Sequence, residues 1–213
     1  SHRARWRQAE ALRASGQFDQ AAGHYEYLAS DSASSSILLF RLTEIALERN
    51  DPAPAQQYCR QALTGPEGET RALDVESRQA LEELAHREDA PAELHRWMAD
   101  HAQRCDDQQR EALSRQRQCQ AHQREQDFES ACQAARRAHQ LQPENLEVAL
   151  EHARMEEQAG ELHNAISIRE QILEQLPDGH PAAAELVESI LQRHPSSATA
   201  LRRSLGAVED GSR

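Results

Sequence analysis

The 213-residue sequence predicts an all-α chain: an α-solenoid of about five helical hairpins closed by a C-terminal capping helix pair. Three observations carry that reading. A turn-and-packing pattern recurs at an offset of 34 residues, from Gly16 to Asn50 and again from Gln126 to Gly160. Apolar residues between the turns recur at helical rather than alternating spacing. The apolar content is also thin. With 38% hydrophobic, 4% aromatic and 28% charged residues, the chain suits stacked hairpins that bury narrow seams better than it suits one large core. The same polarity without periodicity would indicate disorder.

The units follow in order. The first, residues 2–35, turns at Gly16-Gln17-Phe18 and continues with Ala21, Tyr25 and Leu28. The second, 36–70, turns at Asn50-Asp51-Pro52, followed by Ala55, Cys59 and Ala62. The third, 71–110, is divergent: two helical patterns split around Glu88-Asp89-Ala90-Pro91, with Ala92 and Ala99 spaced as Ala55 and Ala62 are. Its extra residues are expected in the loops near Gly65-Pro66-Glu67-Gly68 and Cys105-Asp106-Asp107. The fourth, 112–145, has Gln126-Asp127-Phe128, then Ala131, Ala135, Ala138 and Pro143. The fifth, 146–179, has Gly160-Glu161-Leu162, then Ala165, Arg169, Ile172 and Pro177. A helix from about Pro181 to His194 and a shorter one from Ser197 to Leu205 form the cap, 180–207. The polar residues 208–213 read as a frayed tail, and 1–207 as a single domain.

The spacing has a physical basis. A small residue where two helices cross lets their backbones approach, and larger residues one turn away fill the gap. Glycine or a polar residue at the turn permits the left-handed backbone that ends the first helix. The closing proline cannot continue a helix and separates one unit from the next.

This pattern resembles the tetratricopeptide repeat, a 34-residue helix–turn–helix unit. The segment from Gln126 to Pro143 matches it at nearly every position. The Gly160 unit departs at Arg169, and the Gly16 unit has Leu28 where alanine is usual. The resemblance implies a right-handed superhelix whose first helices line an inner groove that binds extended peptides or partner helices. More loosely, residues 106–195 resemble the C-terminal repeats of the bacterial lipopolysaccharide assembly protein B family. That family's N-terminal membrane helix and cysteine-ligated metal tail have no counterpart in this sequence.

The net charge of −12, from 24 basic and 36 acidic residues, repels phosphate backbones and argues against nucleic-acid binding. Every basic residue is arginine, a bias expected from GC-rich codon usage or from adaptation to high salt. No stretch approaches the roughly 20 apolar residues of a membrane span. The four cysteines, Cys59, Cys105, Cys119 and Cys132, form no CxxC pair. Reduced thiols in a cytoplasmic setting are therefore expected, with Cys119 and Cys132 as small buried packing residues.

The candidate partner-binding residues lie nine before each turn: Arg7, Arg41, Arg78 and Arg117, with Glu151 breaking the row in the fifth unit. Stacked helices about 10 Å apart would array these guanidinium groups to grip carboxylates, so an acidic peptide or protein is the expected partner. Glu10, Glu44 and Asp74 are placed to neutralise the row locally, which is the competing explanation. Glu10 and Asp74 also reverse the charge needed for the carboxylate clamp of some tetratricopeptide proteins. Trp6 and Phe40, at equivalent positions beside the row, would add apolar contact to the groove.

No catalytic residue, cofactor or metal site is expected. Eleven histidines are present, but no two stand three or four apart. The sequence thus predicts a non-catalytic protein-binding scaffold. Alternatives are the repeat segment of a larger enzyme, such as a sulfotransferase or glycosyltransferase, or a self-assembling homo-oligomer.

Overall fold

The structure, a computed structural model, describes residues 1–31, 35–64, 70–87, 90–177 and 179–210. Among them are twelve helices: α1 (His2–Ala14), α2 (Phe18–Asp31), α3 (Ser36–Glu48), α4 (Pro52–Leu63), α5 (Val75–Ala85), α6 (Ala92–Arg104), α7 (Gln108–Arg124), α8 (Phe128–Leu141), α9 (Leu146–Gln158), α10 (Leu162–Gln175), α11 (Pro181–Arg193) and α12 (Ala198–Asp210). They form two compact units, Ser1–Ser114 and Arg115–Arg213, and the division falls within α7. No helix among the described residues is long and apolar enough to cross a membrane.

Turn chemistry sets the helix ends. Gly16, Asn50, Gln126 and Gly160 all take positive φ, at 75°, 52°, 60° and 88°. In each case the next residue donates its N–H back to a carbonyl five residues earlier, as in Gln17 to Leu12 at 2.9 Å and Glu161 to Glu156 at 2.8 Å. Two orphan carbonyls of the finished helix are thereby satisfied, and the chain reverses within three residues. The next helix is then capped where a side chain allows it: Asp127 accepts from Ser130 N–H at 3.1 Å and Asn145 from Val148 N–H at 3.4 Å.

The third hairpin departs from the sequence reading. Asp106 has φ 55° and makes the same back-donations, so α6 and α7 are joined by a tight three-residue turn rather than an enlarged loop. Ahead of it, Asp74 caps α5 through Ser77 N–H at 2.7 Å. Gly65-Pro66-Glu67-Gly68 and Glu88-Asp89 lie outside the described residues. The last helix also differs, since α12 continues past Leu205 to Asp210. One interior glycine, Gly206, costs only about 1 kcal/mol relative to alanine, too little to end a helix ahead of Ala207, Val208 and Glu209. Residues 211–213 lie outside the description.

The seams are narrow and local. In the first unit, Ala9, Ala21, Tyr25, Leu28, Leu38 and Ile45 join hairpin one to hairpin two. Phe40, Cys59, Leu81, Leu84 and Leu94 continue that packing into hairpin three. In the second unit, Cys119, Ala131, Cys132, Ala135 and Met155 form a seam of small residues, followed by Ile168, Leu173, Leu186 and Ile190 around the cap. The two departures from the repeat pattern have packing reasons. Leu28 is buried in the first seam. Arg169 reaches Glu157 of α9 at 2.5 Å, and Arg193 of α11 reaches the same carboxylate at 2.6 Å, so this carboxylate ties three helices together.

Candidate functional site

In the first unit one member of the arginine row, Arg41, is held in a network of carboxylates. Arg41 on α3 pairs with Glu10 of α1 at 3.4 Å, Glu44 at 3.3 Å and Glu83 of α5 at 3.0 Å. Arg13 joins from α1, 2.8 Å from Glu44 and 3.0 Å from Glu10. The Tyr25 hydroxyl donates to Glu10 at 2.7 Å. Burial works against the Arg13 charge, but Glu44 and Glu10 outweigh it and hold the guanidinium protonated. Burial and Glu10 together push the Tyr25 phenol up, and the Arg41 hydrogen bond holds Glu83 below the usual carboxylate range. Two guanidinium groups thus face three carboxylates along the first helices of three successive hairpins.

The other sequence candidates divide. Arg7 is exposed; Arg78 is exposed and donates to its own chain at Leu73 O, 3.1 Å away. Arg117 is half-buried in α7 of the second unit. Phe40 has 0% exposure within the second-to-third hairpin seam, so it offers no contact to a partner. Trp6, its equivalent, is half-buried and meets Tyr25 edge-on at 5.6 Å between ring centroids. Trp6 also borders an open cleft of about 330 Å³ with Leu28, Ile37 and Leu38.

A second cleft of about 330 Å³ lies wholly within the second unit. Its floor is apolar, with Cys119 of α7, Ala135 and Ala138 of α8 and Val148 of α9. Its rim is polar: Gln116, Gln120 and Gln123 from α7, Glu147, Glu151 and Arg154 from α9. Glu151 occupies the row position of the fifth unit. It accepts from Gln123 and, at 3.0 Å, from Arg154. Gln123 reaches Met155 Sδ at 3.1 Å as well. This volume is at the small end of ligand clefts, which run roughly 300–1,000 Å³.

Between α8 and α9 of the same unit lies a cluster the sequence reading did not assemble. His152 and Glu156 stand one turn apart on α9, and both are buried. His152 Nε2 is 3.0 Å from Glu156 Oε1, and its Nδ1 is 3.1 Å from His139 Nδ1 on α8. Arg136 of α8 donates to Glu156 Oε1 at 2.6 Å; Asn164 of α10 donates to Oε2 at 3.2 Å. Burial pushes Glu156 up, but donors from Arg136, Cys132, Asn164 and His152 outweigh it and hold the carboxyl at about 2. Burial raises the Cys132 thiol, and Glu156 adds to it, to about 11; burial lowers both His139 and His152. Cys132 Sγ, a ring nitrogen of His152 and an oxygen of Glu156 all lie within 4.8 Å of one another, so the cluster presents donor atoms of metal-ligand type. A scan for histidine pairs misses it because the helical pair is a histidine and a carboxylate. The spacing His152-x-x-x-Glu156 is the signal that could have found it.

No protein-family model matches the chain, and no curated protein does. Several solved structures resemble it. The Pseudomonas aeruginosa pilF structure is 14% identical, with a TM-score of 0.40, covering 96% of this chain and 97% of that one. PilW, a type IV pilus biogenesis factor, is 17% identical with a TM-score of 0.40, covering 94% and 97%. The TPR domain of P58(IPK) is 14% identical with a TM-score of 0.30, covering 95% and 76%. The repeat assignment rests on this chain's own spacing and turns: six helical hairpins or pairs in sequence, with left-handed turns 34 residues apart. On that basis the described residues are an all-α run of helical hairpins whose turn spacing is similar to that of the tetratricopeptide repeat.

Proposed function

We propose that the chain is a non-catalytic scaffold that holds an extended segment of a partner protein in the cleft on the α7–α9 face of the second unit. The observation that carries this reading is the cleft's construction. It is lined by the first helices of two successive hairpins, with an apolar floor and a rim of amides. Gln116 and Gln120 can each donate to and accept from a peptide backbone, whatever its sequence, while Gln123 is held by Glu151 and Met155. Glu147 and Glu151 outnumber Arg154 on the rim, so a neutral or basic segment fits this cleft better than an acidic one. The nearby thiols are poor nucleophiles at neutral pH: burial and neighbouring groups set Cys119 at about 12.

A displayed library of random peptides, selected on the whole chain, tests the proposal. Enriched peptides should lose at least about tenfold in affinity when Gln120→Trp fills the cleft, the loss of about 1.4 kcal/mol of contact. Peptides that bind the Gln120→Trp variant as tightly as the parent place the binding surface elsewhere and overturn it.

A further inference from the structure

We infer that Cys132, His152 and Glu156 form a mononuclear zinc(II) site between α8 and α9, with His139 orienting the His152 ring and a water as fourth ligand. An ion pair alone needs only Glu156 and Arg136. The cluster adds the buried Cys132 thiol and the buried His152 imidazole, with the half-buried His139 beside it, side chains that a salt bridge does not require.

The geometry is close to a tetrahedral site. Two donors each about 2.05 Å from a tetrahedral zinc stand about 3.3 Å apart. His152 Nε2 and Glu156 Oε1 are at 3.0 Å, with Cys132 Sγ inside the same 4.8 Å set. Asn164 occupies Oε2 of Glu156, which leaves Oε1 for a single metal bond. A sulfur, an imidazole and one carboxylate oxygen select zinc over magnesium or calcium, which prefer oxygen ligands throughout. When His152 Nε2 ligates, its Nδ1–H points at His139 Nδ1, 3.1 Å away, the outer hydrogen bond that fixes a ligating ring.

Charge supports the same position. The Arg136 guanidinium already sits there as a cation, 2.6 Å from Glu156 Oε1 and 4.0 Å from Cys132 Sγ. Its side chain is 50% exposed, so it can swing into solvent as the metal enters. The balance closes. Before binding, the Arg136 cation offsets the Glu156 anion beside a neutral thiol. After binding, Zn²⁺ offsets one carboxylate and one thiolate, the thiol proton having gone to solvent. Arg136 is therefore a competitor of the metal, and removing it should strengthen binding.

Chelator-treated whole chain titrated with Co²⁺ tests this. One equivalent should give a thiolate-to-cobalt charge-transfer band and tetrahedral visible bands, and Zn²⁺ should erase both. Arg136→Met should bind more tightly than the parent, and His139→Ala about 10–100-fold more weakly. Cys132→Ser should lose the charge-transfer band. Cys105→Ser, which disrupts the exposed Cys105–His101 pair at 3.9 Å, should keep it. If Cys132→Ser fails to fold, the Glu156→Gln variant takes its place with a loss of at least about tenfold. No band in either the parent or Arg136→Met, or a band lost in Cys105→Ser and kept in Cys132→Ser, overturns the site.

Discussion

Both units carry ion pairs between helices, but the second also buries a carboxylate among donors from several helices. In the first, Arg13 and Arg41 meet Glu10, Glu44 and Glu83 along the first helices, and every group has an opposite-charge neighbour at the partly exposed face. In the second, a single carboxylate, Glu156, is buried on α9 and gathers donors from three helices. Their cores differ in the same direction. The first unit fills its seams with Tyr25, Phe40 and leucines, while the α7–α8 seam is built of alanine and cysteine. Small residues bring helices close, leaving little room for large apolar groups but a dry place for polar ones. A stabilising surface network and a buried, chemically equipped pocket are thus two outcomes of one repeat, decided by side-chain size at the crossing.

The largest expected effect breaks the first unit's core. Phe40→Ala should cost about 3–5 kcal/mol by urea unfolding of the whole chain, because it empties a fully buried site. The converse change in the second unit, Ala131→Leu, should cost about 1–3 kcal/mol by overpacking the seam that fully encloses Ala131. A loss from Ala131→Leu larger than that from Phe40→Ala would reverse the comparison.

Charge removal sharpens it further. Glu156→Gln should cost about 1–3 kcal/mol, since buried donors lose their anion. Glu83→Ala should cost under about 1 kcal/mol, its side chain being 49% exposed. Equal costs would mean that burial does not separate the two networks.

Acid gives a smaller effect. The Arg41 hydrogen bond lowers Glu83, and the Arg169 hydrogen bond followed by that of Arg193 lowers Glu157. Folded values below the unfolded one mean that this stabilisation is complete above the ordinary carboxylate value of 4.5 and is lost as pH falls through the lowered values. Glu157→Gln should therefore flatten the stability loss below about pH 4.5. A variant with the parent's acid limb would remove Glu157 from that explanation. Least in size, protonating histidines should carry the net charge of −12 toward zero. Solubility should then be poorer near about pH 5.5 than at about pH 8, as measured by precipitation.

The frame was readable in the sequence wherever local chemistry decides. Gly16, Asn50 and Gly160 mark their turns because a left-handed backbone favours glycine and asparagine, and Gln126 is marked by its 34-residue offset to Gly160. Asp106 makes the same turn, yet Cys105-Asp106-Asp107 carries no glycine or asparagine, so its tightness was hidden. The candidate sites depended on longer range. Trp6 and Phe40 share a repeat position but not an exposure, because only Phe40 is enclosed by the third hairpin. The arginine row was visible residue by residue, whereas its neutralisation needs Glu83, more than forty positions from Arg41. In the second unit, His152-x-x-x-Glu156 is a local signal; Cys132, Arg136 and Asn164 reach it only through hairpin packing.

Hydrogen exchange across the whole chain, with and without a selected peptide, tests the scaffold reading most directly. Added protection in residues 116–124 and 146–155, which border the α7–α9 cleft, is the expected result. Protection confined to α1 through α6, with the cleft helices unchanged, would contradict it.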